Sequence, residues 1–251
     1  LDLIAGLPYE DLDSFGKSFD EVYAVRPEQL QLGFLKVLKG SYMAEHQQEY
    51  ELIHKDTPPY EVLSTKWLSY DDVLILKSVE EMVETFYNSG QFHHTITHLE
   101  TYFSSAFEMY RRMGKFYEGQ GYHKQSHSRM KRYEILLEFV KTAVPEKDLG
   151  FFRELLSFDL YLRENVKNRP DFAGDYTVKK EELFYLYDEV FPRKEELASY
   201  AGKHQRKMIH IERFRYDVLS EGQKKDTWVL FDYQKRDPLN HQAKTFLLYI
   251  N

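Results

Sequence analysis

Leu1-Asp2-Leu3-Ile4-Ala5-Gly6-Leu7-Pro8 opens the chain, and Leu30-Gln31-Leu32-Gly33-Phe34-Leu35 follows about 25 residues later. Each is a short apolar run closed by a turn signal, Gly6-Leu7-Pro8 after the first and Lys39-Gly40-Ser41 beyond the second. Short apolar runs bounded this way read as buried parallel strands. Between them Phe15, Phe19, Val22 and Tyr23 recur at helical spacing. Glu10, Asp11 and Asp13 precede that stripe and suit the positive end of a helix dipole. Arg26-Pro27 ends the helix, because the residue before proline is steered away from helical backbone. Strand, helix and strand in this span imply parallel strands joined by a right-handed crossover. One such unit can neither close a barrel nor cover both faces of a sheet.

Working outward, residues 46–70 read as irregular, with Thr57-Pro58-Pro59-Tyr60 as a rigid turn and Trp67 as an anchor. From there to about residue 202 the pattern is helical. Ser69 predicts an N-cap for a helix from about Asp71 to Asn88, with Val73, Leu76, Val79, Val83 and Phe86 on one face. Asn88-Ser89-Gly90 supplies its stop. One helix is predicted over 92–117, a third over 125–143, a fourth over 146–167, and shorter ones over 179–190 and 193–201. The last 45 or so residues change character. Met208–Val218, Thr227–Gln234 and Lys244–Ile250 carry β-branched and aromatic residues at partial alternation, with Glu221-Gly222 and Asp237-Pro238-Leu239-Asn240 between them. They predict an antiparallel three-strand meander. The fold class expected is α+β, mainly α: an N-terminal β-α-β unit, a central helical bundle and a C-terminal meander.

The 251 residues carry a net charge of -7 and 42% hydrophobic residues. That apolar share suffices for a packed core. The acidic balance argues against a nucleic-acid partner, and Arg111–Arg112, Arg129–Arg132 and Lys203–Lys207 read as solvated helix faces. No apolar run spans a bilayer and no signal peptide is evident, so a cytoplasmic location without membrane contact is expected. The first residue is Leu1 rather than Met, inside an apolar run, so a longer natural chain is expected. Cysteine is absent, which excludes disulfides, thiolate zinc, cysteine nucleophiles and cysteine-ligated iron–sulfur clusters from these residues.

No catalytic set emerges. His94 and His98 form an i, i+4 pair to which Glu100 or Glu108 could add a carboxylate, but Thr95 stands where a zincin has glutamate. Partner-packed or surface histidines are the reading preferred here, as for His123 and His127. No serine sits in a nucleophile elbow and no glycine-rich phosphate loop occurs. The aromatics of 102–117 and 184–191 fall at core spacing. Phe86-Tyr87-Asn88-Ser89-Gly90-Gln91-Phe92 reads as a helix C-cap.

The stretch Leu1–Glu10 resembles the Asp-Leu-Ile-x-Gly-Leu-Pro strand of radical SAM enzymes, especially the B12-binding and coproporphyrinogen-dehydrogenase-like branches. Leu30–Ser41 resembles the next barrel strand and its exit loop, at the interval one βα unit requires. Pro58-Pro59-Tyr60-Glu61-Val62-Leu63 and Tyr87-Asn88-Ser89-Gly90-Gln91-Phe92 resemble the uncharacterised C-terminal domain appended to one subgroup of these proteins. The resemblance implies that residues 1–45 are the C-terminal strands of a (β/α) barrel and 46–251 an accessory domain, helical over about 70–202, with a meander over about 207–250. It also implies, for the full-length bacterial protein, an iron–sulfur oxidoreductase. A [4Fe–4S] cluster on a Cys-x3-Cys-x2-Cys loop cleaves S-adenosylmethionine there to a 5′-deoxyadenosyl radical, and a cobalamin-binding domain precedes the barrel. Without cysteine, the present chain would hold no cofactor of its own and be inactive alone. By the same resemblance Asp2 and Ile4 face the nucleoside of the cofactor, Gly6 permits close backbone approach, and Leu35 contacts adenine. Late strands of such barrels meet the cofactor at their C-terminal ends.

Two other readings stand beside this one: a non-enzymatic helical interaction module, and a metalloprotein built on His94 and His98. The first reading makes the rest of the barrel the partner of residues 1–41. It predicts an exposed strand edge, or its capture by a second copy in a homodimer. Strands fully covered within one copy would count against it.

Overall fold

Asp2–Ala5 forms β1 and Gln31–Phe34 forms β2, paired in parallel with Asp2 opposite Gln31 and Ala5 opposite Phe34. A computed structural model of the chain describes residues 1–166, 168–174, 176, 178–219 and 224–248. The connecting helix α1, Leu12–Ala24, is capped by Asp11, which accepts from the Ser14 backbone N–H at 2.8 Å and donates its own N–H to Ser14 Oγ at 2.9 Å. Such reciprocal capping satisfies two of the backbone donors that a helix start leaves open. Phe15, Phe19 and Tyr23 line its buried stripe.

Beyond β2 come a single turn α2, Tyr42–Glu45, and an antiparallel pair, β3 (Ile53–His54) and β4 (Val62–Ser64). The stretch read as irregular therefore contains two short strands, joined across a cis Pro58-Pro59 bond. Helix α3, Tyr70–Met82, starts at Ser69, whose hydroxyl accepts from Asp72 N–H while Asp72 accepts from Ser69 N–H. It runs on as a π-helical turn, Val83–Asn88.

The single helix predicted over 92–117 is two: α4, His93–Leu99, with a 3-10 turn to Tyr102, and α5, Ala106–Gly119. The break follows from hydroxyl chemistry. Thr101 bonds back to the His98 carbonyl at 2.7 Å. Ser105, in extended backbone, accepts from Glu108 N–H at 3.2 Å as a fresh N-cap. Local side-chain hydrogen bonds of this kind compete with helix continuation.

Helix α6, Arg129–Ala143, and α7, Leu149–Arg163, follow, and then α8, Lys180–Tyr185, which ends in a π-helical turn, Leu186–Val190. No α-helix occupies 193–201. Lys194 is extended after a short turn at Phe191–Arg193, and Ala198–Ala201 forms a 3-10 turn. Leu197 and Tyr200 are both buried, and a 3-10 turn stacks residues three apart on one side. The meander is as expected: β5 (Ile209–Tyr216), β6 (Lys224–Arg236) and β7 (Ala243–Leu248), antiparallel in that order. The Glu221-Gly222 turn and the predicted strand end at 249–250 lie outside the described residues. The fold is α+β and mainly helical, and no described helix is long and apolar enough to cross a membrane.

Packing divides the chain into two compact units, Leu1–Gly90 with Ile96–Ser128, and Gln91–Thr95 with Arg129–Asn251. The division falls inside α4. In the first unit, Phe15 and Phe19 of α1 meet the Phe107 ring of α5 at 6.3 and 5.6 Å. In the second, α7 is buried almost all round. Phe158 packs on Phe214 and Phe231 of the sheet, while Leu186, Phe191, Ile209, Ile211 and Trp228 form a further apolar cluster.

Candidate functional site

Strand alternation sorts the residues of β1 and β2 onto two faces. Ala5, Leu32 and Phe34 are buried, with Lys77 Nζ of α3 lying 3.9 Å from the centre of the Phe34 ring. The other face carries Asp2 and Ile4 from β1, and Gln31, Gly33 and Leu35 from β2 and its end. Asp2 and Gln31 are exposed, Ile4 is 48% exposed, and Gly33 and Leu35 are half-buried. Register places Asp2 beside Gln31 and Ile4 beside Gly33. The surface is therefore polar at the strand starts and apolar toward the strand ends. Among the described residues no further strand pairs along either outer edge of this ribbon. Parallel sheets normally have both faces covered.

Three of the four residues picked from the sequence, Asp2, Ile4 and Leu35, thus share one open face. Gly6 does not join them. It is buried at φ +88°, and a Cβ there would lie 2.7 Å from Val62 Cγ1. Close approach does require this glycine, and the approaching group in this structure is β4. Val62 N–H donates to the Leu35 carbonyl at 2.9 Å, and Leu35 N–H donates to the Ala5 carbonyl at 2.9 Å. The strand ends are tied together by that pair of bonds.

Just past the end of β1 the structure adds residues that sequence reasoning did not assign. Tyr9 takes a left-handed backbone, φ +68°, and is 73% exposed. Its ring lies 4.7 Å from Trp67 and 6.2 Å from Tyr50, and Tyr42 stacks on His46 at 3.8 Å. Positive φ at a bulky residue is strained and survives where packing over-determines it. The signal was present in Gly6-Leu7-Pro8-Tyr9, a turn ending in an aromatic, and in the isolated Trp67. Glu10 follows, its carboxyl raised above the ordinary value by burial, against the lowering bond from Ser18. A carboxylate, an amide and an aliphatic stretch thus share the open face, and an aromatic cluster follows the end of β1.

The histidines find protein partners. Asp159 of α7 is buried and accepts at 2.8 Å from His94 Nδ1, at 3.1 Å from His94 N–H, and at 2.9 and 2.7 Å from the Thr95 N–H and hydroxyl. It caps the start of α4 from a distant helix. His127 Nε2 bonds the Tyr122 carbonyl at 2.9 Å, and His98 packs on Tyr102 at 5.9 Å. Among the described residues no three His, Cys, Asp or Glu side chains gather as a metal set. Asn88, read as a cap, does more: its carboxamide accepts from Leu30 N–H at 2.9 Å and donates to the Leu30 carbonyl at 3.0 Å. It occupies both backbone groups of Leu30, the residue just before β2.

A family model described as "Protein of unknown function (DUF4080)" matches residues 48–231. The chain belongs to this family. The DUF4080 match begins after β2, so it takes in β4 and Trp67 but not Asp2, Ile4 or Leu35. No curated protein matches the chain.

Proposed function

We propose that this DUF4080 chain is the C-terminal part of a radical SAM enzyme, with β1 and β2 as its last barrel strands and residues 46–251 as an accessory domain. One observation carries the reading: β1 and β2 bury one face and leave the other open, with Asp2, Ile4 and Leu35 upon it. Barrel strands are layered in this way, helices outside and the second face toward the lumen. The strand motifs of residues 1–41 and the family match over 48–231 add support from two separate parts of the chain.

The iron–sulfur cluster does not fit these residues, which hold no cysteine; its ligands belong upstream, as does any cobalamin site. The adenosyl part of the cofactor does fit the open face. The cluster supplies reductive cleavage of S-adenosylmethionine when bound. On this chain, Ile4 and Leu35, toward the strand ends, offer aliphatic contact to the base, while Asp2 stands at the opposite, N-terminal end of β1 and would meet only a group reaching back along the strand. A second reading, a non-enzymatic interaction module, draws on Phe184 and Tyr185, adjacent aromatics that α8 leaves exposed.

The coding sequence upstream of Leu1 and the longer protein, purified without oxygen, separate the two. The proposal expects a Cys-x3-Cys-x2-Cys segment, visible cluster absorbance and 5′-deoxyadenosine on reduction with S-adenosylmethionine. Absence of that cysteine segment would overturn it.

A further inference from the structure

A cavity of about 300 Å3 lies in the second unit, along β5, walled by Val166, Val178, Leu183 and Tyr187 and by Ile209 and Ile211. Its polar end is built from Arg169, His210 and Glu212. Arg169 is tied down: its guanidinium donates to Glu212 Oε2 at 2.8 Å and to the carbonyls of Ala173, Gly174 and Tyr176. Glu212 is buried and accepts also from Arg213 N–H at 3.1 Å. His210 stacks on Tyr161 at 4.0 Å. Its Nε2 is buried without a hydrogen bond, 3.6 Å from Glu212 Oε2. A buried polar atom left unpaired is costly and calls for a partner. The cavity borders β5, which among the described residues is an edge strand of its sheet, so backbone groups that no described strand pairs also lie along it.

We propose that this cavity binds a small neutral molecule with an apolar body and one carboxamide or hydroxyl end. The volume falls at the lower end of small-molecule sites, whose walls are mainly apolar with a few placed polar groups. Charge decides the class. Arg169 and Glu212 already neutralise each other, so a carboxylate entering would meet Glu212 and an ammonium would meet Arg169, each at a desolvation cost with no free counter-ion. A carboxamide or hydroxyl both donates and accepts. It can therefore serve the imidazole nitrogen and a backbone or guanidinium N–H together.

Benzamide, benzoate and benzylamine share one ring and differ in charge, and each is titrated into the full chain. Calorimetry gives the affinity, and long-range 1H–15N spectra of the His210 ring give the location. Saturable benzamide binding that shifts the His210 ring is expected, weakened about tenfold or more in both Leu183→Trp, which fills the cavity, and His210→Phe, which removes the nitrogen. Thermal melts of both variants check folding, and either folded variant suffices for the comparison. Benzoate or benzylamine binding as tightly as benzamide would overturn the proposal. So would benzamide affinity unchanged in a folded variant, or no saturation up to the solubility limit, the result if an ordered water alone satisfies Nε2.

Discussion

Gly6 and Gly40 both hold positive φ, at +88° and +76°, but only Gly6 has a neighbour, Val62, where a Cβ would stand. Left-handed backbone costs a residue with a Cβ roughly 1–2 kcal/mol, which Gly40→Ala should lose alone. Gly6→Ala should lose about 2 kcal/mol more, because valine is stiff at χ1 and cannot swing away. Chemical denaturation checks this, and Val62→Ala should return part of the added loss in the double variant. Asp159→Ala should destabilise by about 3 kcal/mol, since four donors lose a buried acceptor together. Thr95→Val, which removes one donor, should cost roughly a third of that. Residue types in turns and caps were legible: Ser69, the acids before α1 and Gly6 all do what their local chemistry predicts. Asp159 was not legible, because its partners His94 and Thr95 stand 65 and 64 residues away. Nothing in the α7 sequence distinguishes it from a solvated carboxylate.

Helix α7 carries a second buried acid whose behaviour is set by the element around it. Glu154 accepts from Arg215 and Tyr216 N–H, both at 3.0 Å. Burial outweighs those bonds and raises its carboxyl above the ordinary 4.5. The folded chain therefore binds this proton more tightly than the unfolded chain does. Its contribution favours the fold at low pH and is lost as pH rises through the window just above 4.5. Glu154→Gln should remove that slope, so the melting-temperature difference between the parent and this variant should change across pH 4 to 7, with the parent losing relative ground as pH rises. Elements with one dominant period were legible, including β1, α1, β2, α3 and the meander. The predicted helix over 92–117 failed because periodicity does not register hydroxyls that cap within the run, here Thr101 and Ser105. The predicted helix at 193–201 failed for a different reason: burying Leu197 and Tyr200 three apart suits a 3-10 turn as well as a full helix.

At the scale of the whole molecule, the sequence named Asp2, Ile4 and Leu35 but neither the face they share nor the aromatic cluster around Tyr9. Alternation alone could not say which side of β1 the helices would cover. Since the chain has no cysteine, Ile4→Cys creates a single thiol on the open face. Maleimide, followed at position 4 by peptide mass spectrometry, should label it readily in this chain and at least about tenfold more slowly in the longer, cysteine-bearing protein proposed above, where barrel strands would cover it. Equal rates would argue against the barrel reading without any recourse to activity. The Asn88 carboxamide on Leu30 gives the ribbon a further property. With Leu30, just ahead of β2, already bonded to Asn88 and no strand on the β1 edge among the described residues, strand addition has a direction. Two copies meeting there would join β1 to β1 across a two-fold axis, consuming both vacancies at once. Such a contact closes on itself, so association should saturate at the dimer in sedimentation runs of rising concentration. Asn88→Ala, by freeing the second edge, should let that ceiling give way to open-ended growth.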